Sequence, residues 1–415
     1  MQPETLKILL LIALHRGWEI RQWDVVAAYL QAELHHDVYI SDVNEDGQSG
    51  HKWYKTLQKI LEIAGLKQCI RDERAYTSTN GKTIIGTHVD DLIGIAPQGK
   101  DLDEVEASCE KSVELEKRGI PRKILGMEAA WNQERSEVIL TQKSLIETIS
   151  TTPSPSRNSR PWEKWQKTIS ATRPGIFQPS KPRKAGRPRK TEIPSNRWGT
   201  PVPESNNQTR YPHPSQSPRS TKQQPFTSQS DNSTSHIEIF VANKSEGIIL
   251  HKPRELNLVV SADVSYGRET SRSQSEVLLT LGNQPVGWYS RCQDVVTLSI
   301  TEAEYIADCE GAKDIAWTQQ LLQELKVKIE TPILKTDSER AYNLSQTAKF
   351  LRHSRHIQHH YHYLRQQAQN KALMIVTIPG KENPADHLTK LTPMSAIRAW
   401  KELWIASSGK TGSEI

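Results

Sequence analysis

Four acidic residues in the second half of the chain sit where a carboxylate is costly unless something compensates it. Asp263 lies inside an apolar, strand-like run and Glu304 in the first turn of a long helical stretch. Asp337 ends a short strand, and Asp386 opens a late helix after Gly380-Lys-Glu-Asn-Pro-Ala. Such acids must be paired, hydrogen-bonded or bound to a cation. Four converging carboxylates would hold two Mg²⁺ ions, since hard cations prefer oxygen ligands; Mn²⁺ is the natural substitute. Two metals so held activate a water and stabilise the leaving oxygen in phosphodiester cleavage. Any one of these acids taken alone reads better as a turn or cap residue. Only the ordered set of four favours chemistry. Glu304 has a rival role because Thr301-x-x-Glu304 fits a capping box, but so does Ser299-x-x-Glu302. The cap is assigned to Glu302 and the metal to Glu304.

The elements that must position these acids follow from residue spacing. Leu256 to Tyr266, Ser275 to Leu281 and Pro285 to Ser290 read as three successive strands. Thr301 to Leu325 is a long helix with an apolar stripe through Ile306, Cys309, Ala312, Ala316, Leu322 and Leu325. A strand (Pro332 to Thr336), a helix (Ser338 to Ala348), a His-rich helical stretch, a strand (Leu373 to Ile378) and helical segments to Trp404 follow. This order, βββ-α-β-α-(α)-β-α, implies a mixed sheet flanked by helices, an α/β layer architecture. Earlier in the chain, Leu6 to Leu14 is a buried helix, and Arg21 to Leu30 a strand-like run containing Asp24. His51 to Gly65 has helical spacing and stops at glycine. Thr83 to Ala96 reads as a hairpin with Asp90-Asp91 at its turn, and Asp101 to Arg118 as a charged amphipathic helix. Ile124 to Thr141 gives two strand-like pieces around Asn132-Gln-Glu-Arg.

Composition divides the 415 residues unevenly. The formal charge is +6, yet residues 151–230 hold 15 Lys/Arg against 3 Asp/Glu, with 14 of the 23 prolines. A tract of that kind cannot bury a core, so a single-domain enzyme spanning the chain is excluded. The division expected is a first segment at 1–150, a basic Pro/Ser-rich disordered linker at 151–235, a third segment at 236–405 and a disordered tail at 406–415. The four cysteines show no CxxC pairing, which excludes a disulfide scaffold and fits a reducing compartment. The longest apolar run, Ile8 to Leu14, falls far short of the ~20 residues of a membrane span and lacks a signal-peptide cleavage region. A cytoplasmic or nuclear protein, neither secreted nor membrane-bound, is expected.

The third segment resembles the RNase H domain of copia-type LTR retrotransposons. The matching residues are Ser-Ala-Asp-Val-Ser-Tyr-Gly (261–267), Gly-Trp-Tyr-Ser-Arg-Cys-Gln-Asp-Val-Val (287–296) and Leu-Ser-Ile-Thr-Glu-Ala-Glu-Tyr-Ile-Ala (298–307). Thr-Asp-Ser (336–338), His-Ser-Arg-His-Ile (353–357), Tyr-His-Tyr-Leu-Arg (361–365) and Pro-Ala-Asp-His-Leu-Thr-Lys (384–390) continue it. The resemblance implies an RNase H-like mixed five-stranded sheet flanked by helices. It also implies metal ligation by Asp263, Glu304, Asp337 and Asp386, and cleavage of RNA in RNA–DNA hybrids.

The first segment resembles the reverse transcriptase of the same elements. Arg21-Gln-Trp-Asp-Val-Val-Ala-Ala-Tyr-Leu looks like the palm motif holding the first metal-binding aspartate, and Thr87-His-Val-Asp-Asp-Leu like the second, normally Tyr-x-Asp-Asp. Leu125-Gly-Met-Glu and Ile139-Leu-Thr-Gln-Lys resemble the strands after the palm. By that likeness Asp24, Asp90 and Asp91 would bind two Mg²⁺ and Tyr29 would gate the incoming sugar. The likeness departs from the family at several places. It begins just before the first palm motif, leaving the fingers without a counterpart, and His88 replaces the usual tyrosine. Gly47-Gln-Ser-Gly is what remains of a longer glycine-containing stretch, and after Ile149 the thumb gives way to the basic tract. Polymerisation needs primer, template and nucleotide held in reacting geometry, so a partial, inactive polymerase palm is expected.

Two readings follow. The first is a retrotransposon-derived Pol fragment whose RNase H domain cleaves hybrids by two-metal hydrolysis beside a defective polymerase. The second is a non-catalytic, decayed retroelement remnant that binds nucleic acid non-specifically through its linker. Partners are RNA–DNA hybrid, DNA and RNA, with no membrane, and the oligomeric state stays open. Within the linker, Lys181, Arg183, Lys184, Arg187, Arg189 and Lys190 surround the Gly-Arg-Pro core of an AT-hook, whose arginines would enter a narrow minor groove. A solvated linker or frameshifted sequence accounts for the same residues and carries more weight. His353, His356, His359, His360 and His362 suggest zinc by spacing, but no cysteine or spaced acid completes a site. Six cations in ten residues still predict salt-sensitive binding to duplex DNA of arbitrary sequence. Fluorescence anisotropy should show affinity falling roughly 10³-fold between about 50 and 200 mM salt, and a flatter dependence after deletion of 181–190.

Overall fold

The computed structural model describes residues 1–26, 28, 46–151, 244–267, 272–346, 358–388 and 403–407. Tyr29, the six cations of the basic linker, His353 and His356 lie outside these residues, as do the side chains of His359 and His360. Of the linker and tail expectations, residues 152–235 and 408–415 also fall outside them, whereas Thr151 ends a helix and Ala406 and Ser407 belong to a strand.

Helix α1 (Pro3–Arg16) is apolar all round its middle, and Thr5 through Leu14 are all buried. A helix with no polar face belongs inside a protein. Gly17 closes it in the left-handed conformation, φ 65°. One face of a six-stranded antiparallel sheet packs on α1. Its strands are β1 (Glu19–Val25), β2 (Leu66–Gln68), β3 (Ala75–Ser78), β4 (Ile84–His88), β5 (Asp91–Ala96) and β6 (Leu115–Gly119), in the order β2-β3-β4-β5-β1-β6. Strand alternation sorts the side chains: Ile84, Ile93 and Ile95 join the α1 core, while Trp23, Ile85 and Leu92 join a second core with Trp53, Leu57 and Leu61 of helix α2 (Asp46–Ile63) and Leu102 and Val105 of helix α3 (Gly99–Cys109).

The helix expected from Asp101 to Arg118 ends at Cys109, and Leu115–Gly119 forms β6 instead. The N–H groups of Ser112 and Val113 close the helix on the Cys109 carbonyl, and β6 then pairs with β1. Charged residues that look like one helix face are the exposed side chains of an edge strand, a usual protection against further pairing.

A second antiparallel sheet has the order β16-β10-β9-β8-β7, from β7 (Lys123–Ile124), β8 (Met127–Trp131), β9 (Glu137–Thr141), β10 (Glu246–His251) and β16 (Ile405–Ser407). Helix α4 (Lys143–Thr151) follows β9. Strands from both sides of the basic linker therefore pair directly, with Ile249 opposite Ile139.

The third sheet follows the order β13-β12-β11-β14-β15. Strands β11 (Leu258–Ser265), β12 (Gln274–Leu281) and β13 (Gln284–Cys292) are antiparallel; β14 (Ile333–Thr336) and β15 (Met374–Thr377) run parallel to β11. Helix α5 (Ile300–Glu324) crosses from β13 to β14, and α6 (Glu339–Gln346) and α7 (Gln358–Gln369) lie between β14 and β15. This is the mixed five-stranded sheet with flanking helices expected from the sequence.

Helix α1 ties these parts together. The Lys7 ammonium donates to the Val286 carbonyl of β13 at 2.6 Å and lies 4.3 Å over the Trp288 ring. Burial pushes this lysine down to about 8, with Glu4 opposing. On the other side, the Thr5 hydroxyl donates to Asp72 at 2.6 Å, in the loop before β3. If α1 is a shared core, Leu10→Ala should cost about 2–5 kcal/mol and shift the unfolding of both halves together. Urea titration followed by separate probes in the two halves checks this; transitions that separate would contradict it.

Candidate metal centre

Helix α5 is started by its cap. The Ser299 hydroxyl accepts from the Glu302 N–H at 3.2 Å, and the Glu302 carboxylate accepts from the Leu298 N–H at 2.6 Å. That employment of Glu302 leaves Glu304, 9% exposed, for the sheet side of the helix. Gly311 sets how close the helix comes. A Cβ there would lie 2.9 Å from Val260 of β11 and 3.1 Å from Leu334 of β14, so only hydrogen fits without displacement. The parallel register of Val259 with Ile333 and Ser261 with Lys335 brings the end of β14, and Asp337 after it, beside Asp263. Asp263 is 1% exposed.

One carboxylate oxygen from each of Asp263, Glu304 and Asp337 lies within 4.8 Å of the others, the one such three-ligand group among the described residues. Asp386 stands apart from this trio. It sits in a 3₁₀ turn, Pro384–Leu388, where a regular helix was expected. Two features bring its segment toward the centre: the Asn383 amide donates to the Ala262 carbonyl at 2.8 Å, and a Cβ on Gly380 would lie 3.0 Å from Asp337 Oδ2. Three of the four acids are thus gathered, and the fourth is tethered to the strand that bears Asp263.

Two further acids crowd this region and were missed by sequence reasoning. Asp308 lies one helical turn beyond Glu304 and is 1% exposed. Burial pushes its carboxyl up to about 8, Asp337 and Asp263 add repulsion, and the Thr336 hydroxyl pulls the other way. Glu276 of β12 is opposite Asp263 in register, so the two project from the same face, and it is fully buried. The i, i+4 spacing of Glu304 and Asp308 was the available signal for the first. Nothing in the alternation of β12 marked the second.

The other acids meet through strand pairing. Asp24 of β1 is directly opposite Asp91 of β5, and Asp90 lies in the two-residue turn between β4 and β5. Val89 in that turn has φ 56°, a strained value for a β-branched residue. The Trp53 indole holds the turn by donating to the Val89 carbonyl at 2.7 Å, and Val25 N–H donates to the Asp90 carbonyl at 2.9 Å. The Arg118 guanidinium lies 3.0 Å from Asp24 and 3.9 Å from Asp91, while Gln22 donates to Asp91 at 2.8 Å. Burial raises both carboxyls; Arg118 opposes it at Asp24, and the Gln22 bond opposes it first at Asp91.

The sheet orders define a mixed α/β protein, with acids on the central strands of a mixed five-stranded sheet and an acidic hairpin in an antiparallel one. No protein-family model matches the chain. It is similar to the Retrovirus-related Pol polyprotein from transposon TNT 1-94 of Nicotiana tabacum, 23% identical over 96% of this chain and 32% of that protein. The corresponding polyprotein from transposon RE2 of Arabidopsis thaliana is 25% identical over 96% of this chain and 28% of its own length. The Transposon Ty1-ER2 Gag-Pol polyprotein of Saccharomyces cerevisiae is 23% identical over 95% and 24%. The chain's curated homologues are thus copia-type retrotransposon Pol polyproteins, and it spans about a third or less of their length. Among solved structures, the N-terminal RNase H domain of a Mycobacterium tuberculosis protein aligns at TM-score 0.26, 14% identity, 35% of this chain and 99% of that one. A foamy viral protease-reverse transcriptase in complex with dsDNA aligns at TM-score 0.23, 10% identity, 90% and 70%. Among the described residues no helix is long and apolar enough to cross a membrane.

Removing the Arg118 charge takes away the group that opposes burial at Asp24. In Arg118→Ala the Asp24 carboxyl should therefore titrate higher than in the wild type, as followed by ¹³C NMR of the aspartate side chains. An unchanged or lower midpoint would show that the ion pair does not act in solution.

Proposed function

We propose that residues 236–405 act as an RNase H-type nuclease that cleaves the RNA strand of RNA–DNA hybrids, and that residues 1–150 are a polymerase palm without polymerase activity. The supporting observation is the gathering of Asp263, Glu304 and Asp337 from a strand, a helix and a strand end. The donor set fits a hard divalent cation: it is made of oxygens only, with Asp263 buried and Asp337 partly buried, and three like charges held within 4.8 Å of one another favour a cation between them. Asp263, Glu304 and Asp337, with Asp386 from the adjoining turn, are the residues that would hold Mg²⁺ or Mn²⁺. Bound there, the metal supplies water activation and neutralises charge on the leaving oxygen. The protein's own contribution is placement. The Ser299–Glu302 cap fixes the start of α5, Gly311 sets its depth, and the Asn383 amide anchors the Asp386 turn to β11.

The polymerase half is read as inactive because Asp24 is ion-paired with Arg118, which competes with a metal for the same carboxylate. Asp24, Asp90 and Asp91, with Tyr29 as sugar gate, remain as the imprint of palm chemistry. The segment at 151–235 joins the two parts and supplies sequence-independent attraction for DNA or RNA through its cations. The nucleic-acid substrate agrees with a chain whose relatives are retrotransposon Pol polyproteins.

The full chain incubated with an end-labelled RNA–DNA hybrid and Mg²⁺ should shorten the RNA. Asp263→Asn should slow this roughly 100-fold or more, because several kcal/mol of charge stabilisation depend on the metal. Equal amounts of intact RNA with wild type and variant would overturn the nuclease reading in favour of the non-catalytic remnant.

A further inference from the structure

The first turn of α5 meets the sheet through a side chain that neither the helix cap nor the proposed ligand set explains. Gln293 follows β13 directly and is 1% exposed. Its amide nitrogen donates twice, to the Ala303 carbonyl at 2.9 Å and to the Ser275 hydroxyl at 3.0 Å. Its backbone N–H donates to the Ser273 carbonyl at 2.8 Å, which fixes Gln293 to the start of β12. Ala303 immediately precedes Glu304, and Ser275 is opposite Val264, the neighbour of Asp263 on β11. One amide therefore ties the turn that bears Glu304 to the strand paired with the one that bears Asp263. Ala303 lies inside the helix, where its carbonyl already serves the N–H four residues on. The Gln293 bond thus orients that turn and does not rescue an orphaned acceptor. The other end of the amide argues against a packing role, because Oε1 is buried with no hydrogen-bond partner among the described residues. A buried polar atom left unpaired lowers stability, and an apolar side chain of similar shape avoids that loss.

We propose that Gln293 is a positioning residue for the metal centre: its amide sets the first turn of α5 against β12 and so aims Glu304 at the site shared with Asp263 and Asp337. That role rests on the metal-binding reading of the three acids and adds to it a residue that acts through the backbone of one of them. Carboxylate oxygens gathered within 4.8 Å of one another come from a strand, a helix and a strand end, so the helix must be held in place against the sheet. Groups behind the ligands commonly matter to a metal site nearly as much as the ligands. The same loop contains a second buried polar contact that serves as a control. Thr297, 6% exposed, shares a hydrogen bond with the Ser273 hydroxyl at 3.0 Å, which ties the loop to the segment before β12 instead of to α5.

The test uses the metal-free full chain titrated with Mn²⁺ by calorimetry, with urea unfolding of each variant in the absence of metal. Gln293→Met keeps the length and shape of the side chain but removes both donors. It is expected to unfold at or above the wild-type urea midpoint and to bind Mn²⁺ about tenfold more weakly, the loss typical of removing a group that orients a ligand. Thr297→Val is expected to bind Mn²⁺ as the wild type does. Wild-type affinity in folded Gln293→Met overturns the inference, and so does an equal loss in Thr297→Val, which would mark a general loosening of the loop. A lower urea midpoint together with weaker binding in Gln293→Met makes Gln293 a packing residue and overturns it as well. If Gln293→Met does not fold, Gln293→Leu takes its place, and failure of both assigns the amide to folding, against the inference. Asp263→Asn keeps these outcomes apart from the nuclease reading. Binding lost in Asp263→Asn but unchanged in Gln293→Met removes the role of Gln293 alone, whereas a wild-type chain that binds no Mn²⁺ removes both.

Discussion

The largest core of this molecule, to which strands from all three sheets contribute, is built around the buried helix α1. A helix with leucine and isoleucine on every side has no face to give to water, and it is covered from opposite directions by parts of the chain far apart in sequence. Ile84, Ile93 and Ile95 cover it from the six-stranded sheet; Leu250, Leu279 and Val286 complete the same core from beyond the basic tract. Lys7 reinforces the arrangement, since its ammonium is buried only because the Val286 carbonyl and the Trp288 ring receive it. The pairing of β9 with β10 and the bonds from Ile70 and Trp317 across the two halves, to Glu324 and Arg71, follow from that shared core.

Against this apolar background the acids are placed under two different regimes. At the β1–β5 pair the carboxylates have a resident counter-charge in Arg118, so Asp24 and Asp91 are tolerated without any ion. Around Asp263 the acids are gathered more densely, with Glu304 and Asp337 beside it and with Asp308 and Glu276 buried in the same region. Like charges gathered in a low-dielectric place store repulsion that a divalent cation relieves. The Arg118 ion pairs thus belong to the β1–β5 acids, and the close three-carboxylate cluster to the β11–β14 acids.

The basic excess of the whole chain belongs to another part of it. Residues 151–230 carry the positive surplus, while the segments with the acids are negative. Excess positive charge and clustered acids are thus allotted to different stretches, the first as many interchangeable cations and the second as a few acids placed by strand register and helix packing.

Much of this was legible in the residues themselves. Alternation marked β11 to β13, the Ser299-x-x-Glu302 box marked the start of α5, and Asp90-Asp91 marked a hairpin turn, because these depend on neighbours within a few positions. Asp263, Glu304 and Asp337 stood out as acids in elements that should be apolar. Local pattern failed where a distant partner decided the outcome. Leu115–Gly119 reads as helix until β1 offers it an edge, and Asp308 reads as one more polar residue on a long helix until β11 and β14 close over it. The amino-acid order by itself determined which residues are acidic, which segments can be helices or strands, and where the positive charge lies. Only the tertiary structure decided that the halves share one core, that Arg118 reaches Asp24, and that Asp308 is sealed beside Asp263 and Asp337. Burial and charge pairing depend on what lies across space, which spacing along a chain does not encode.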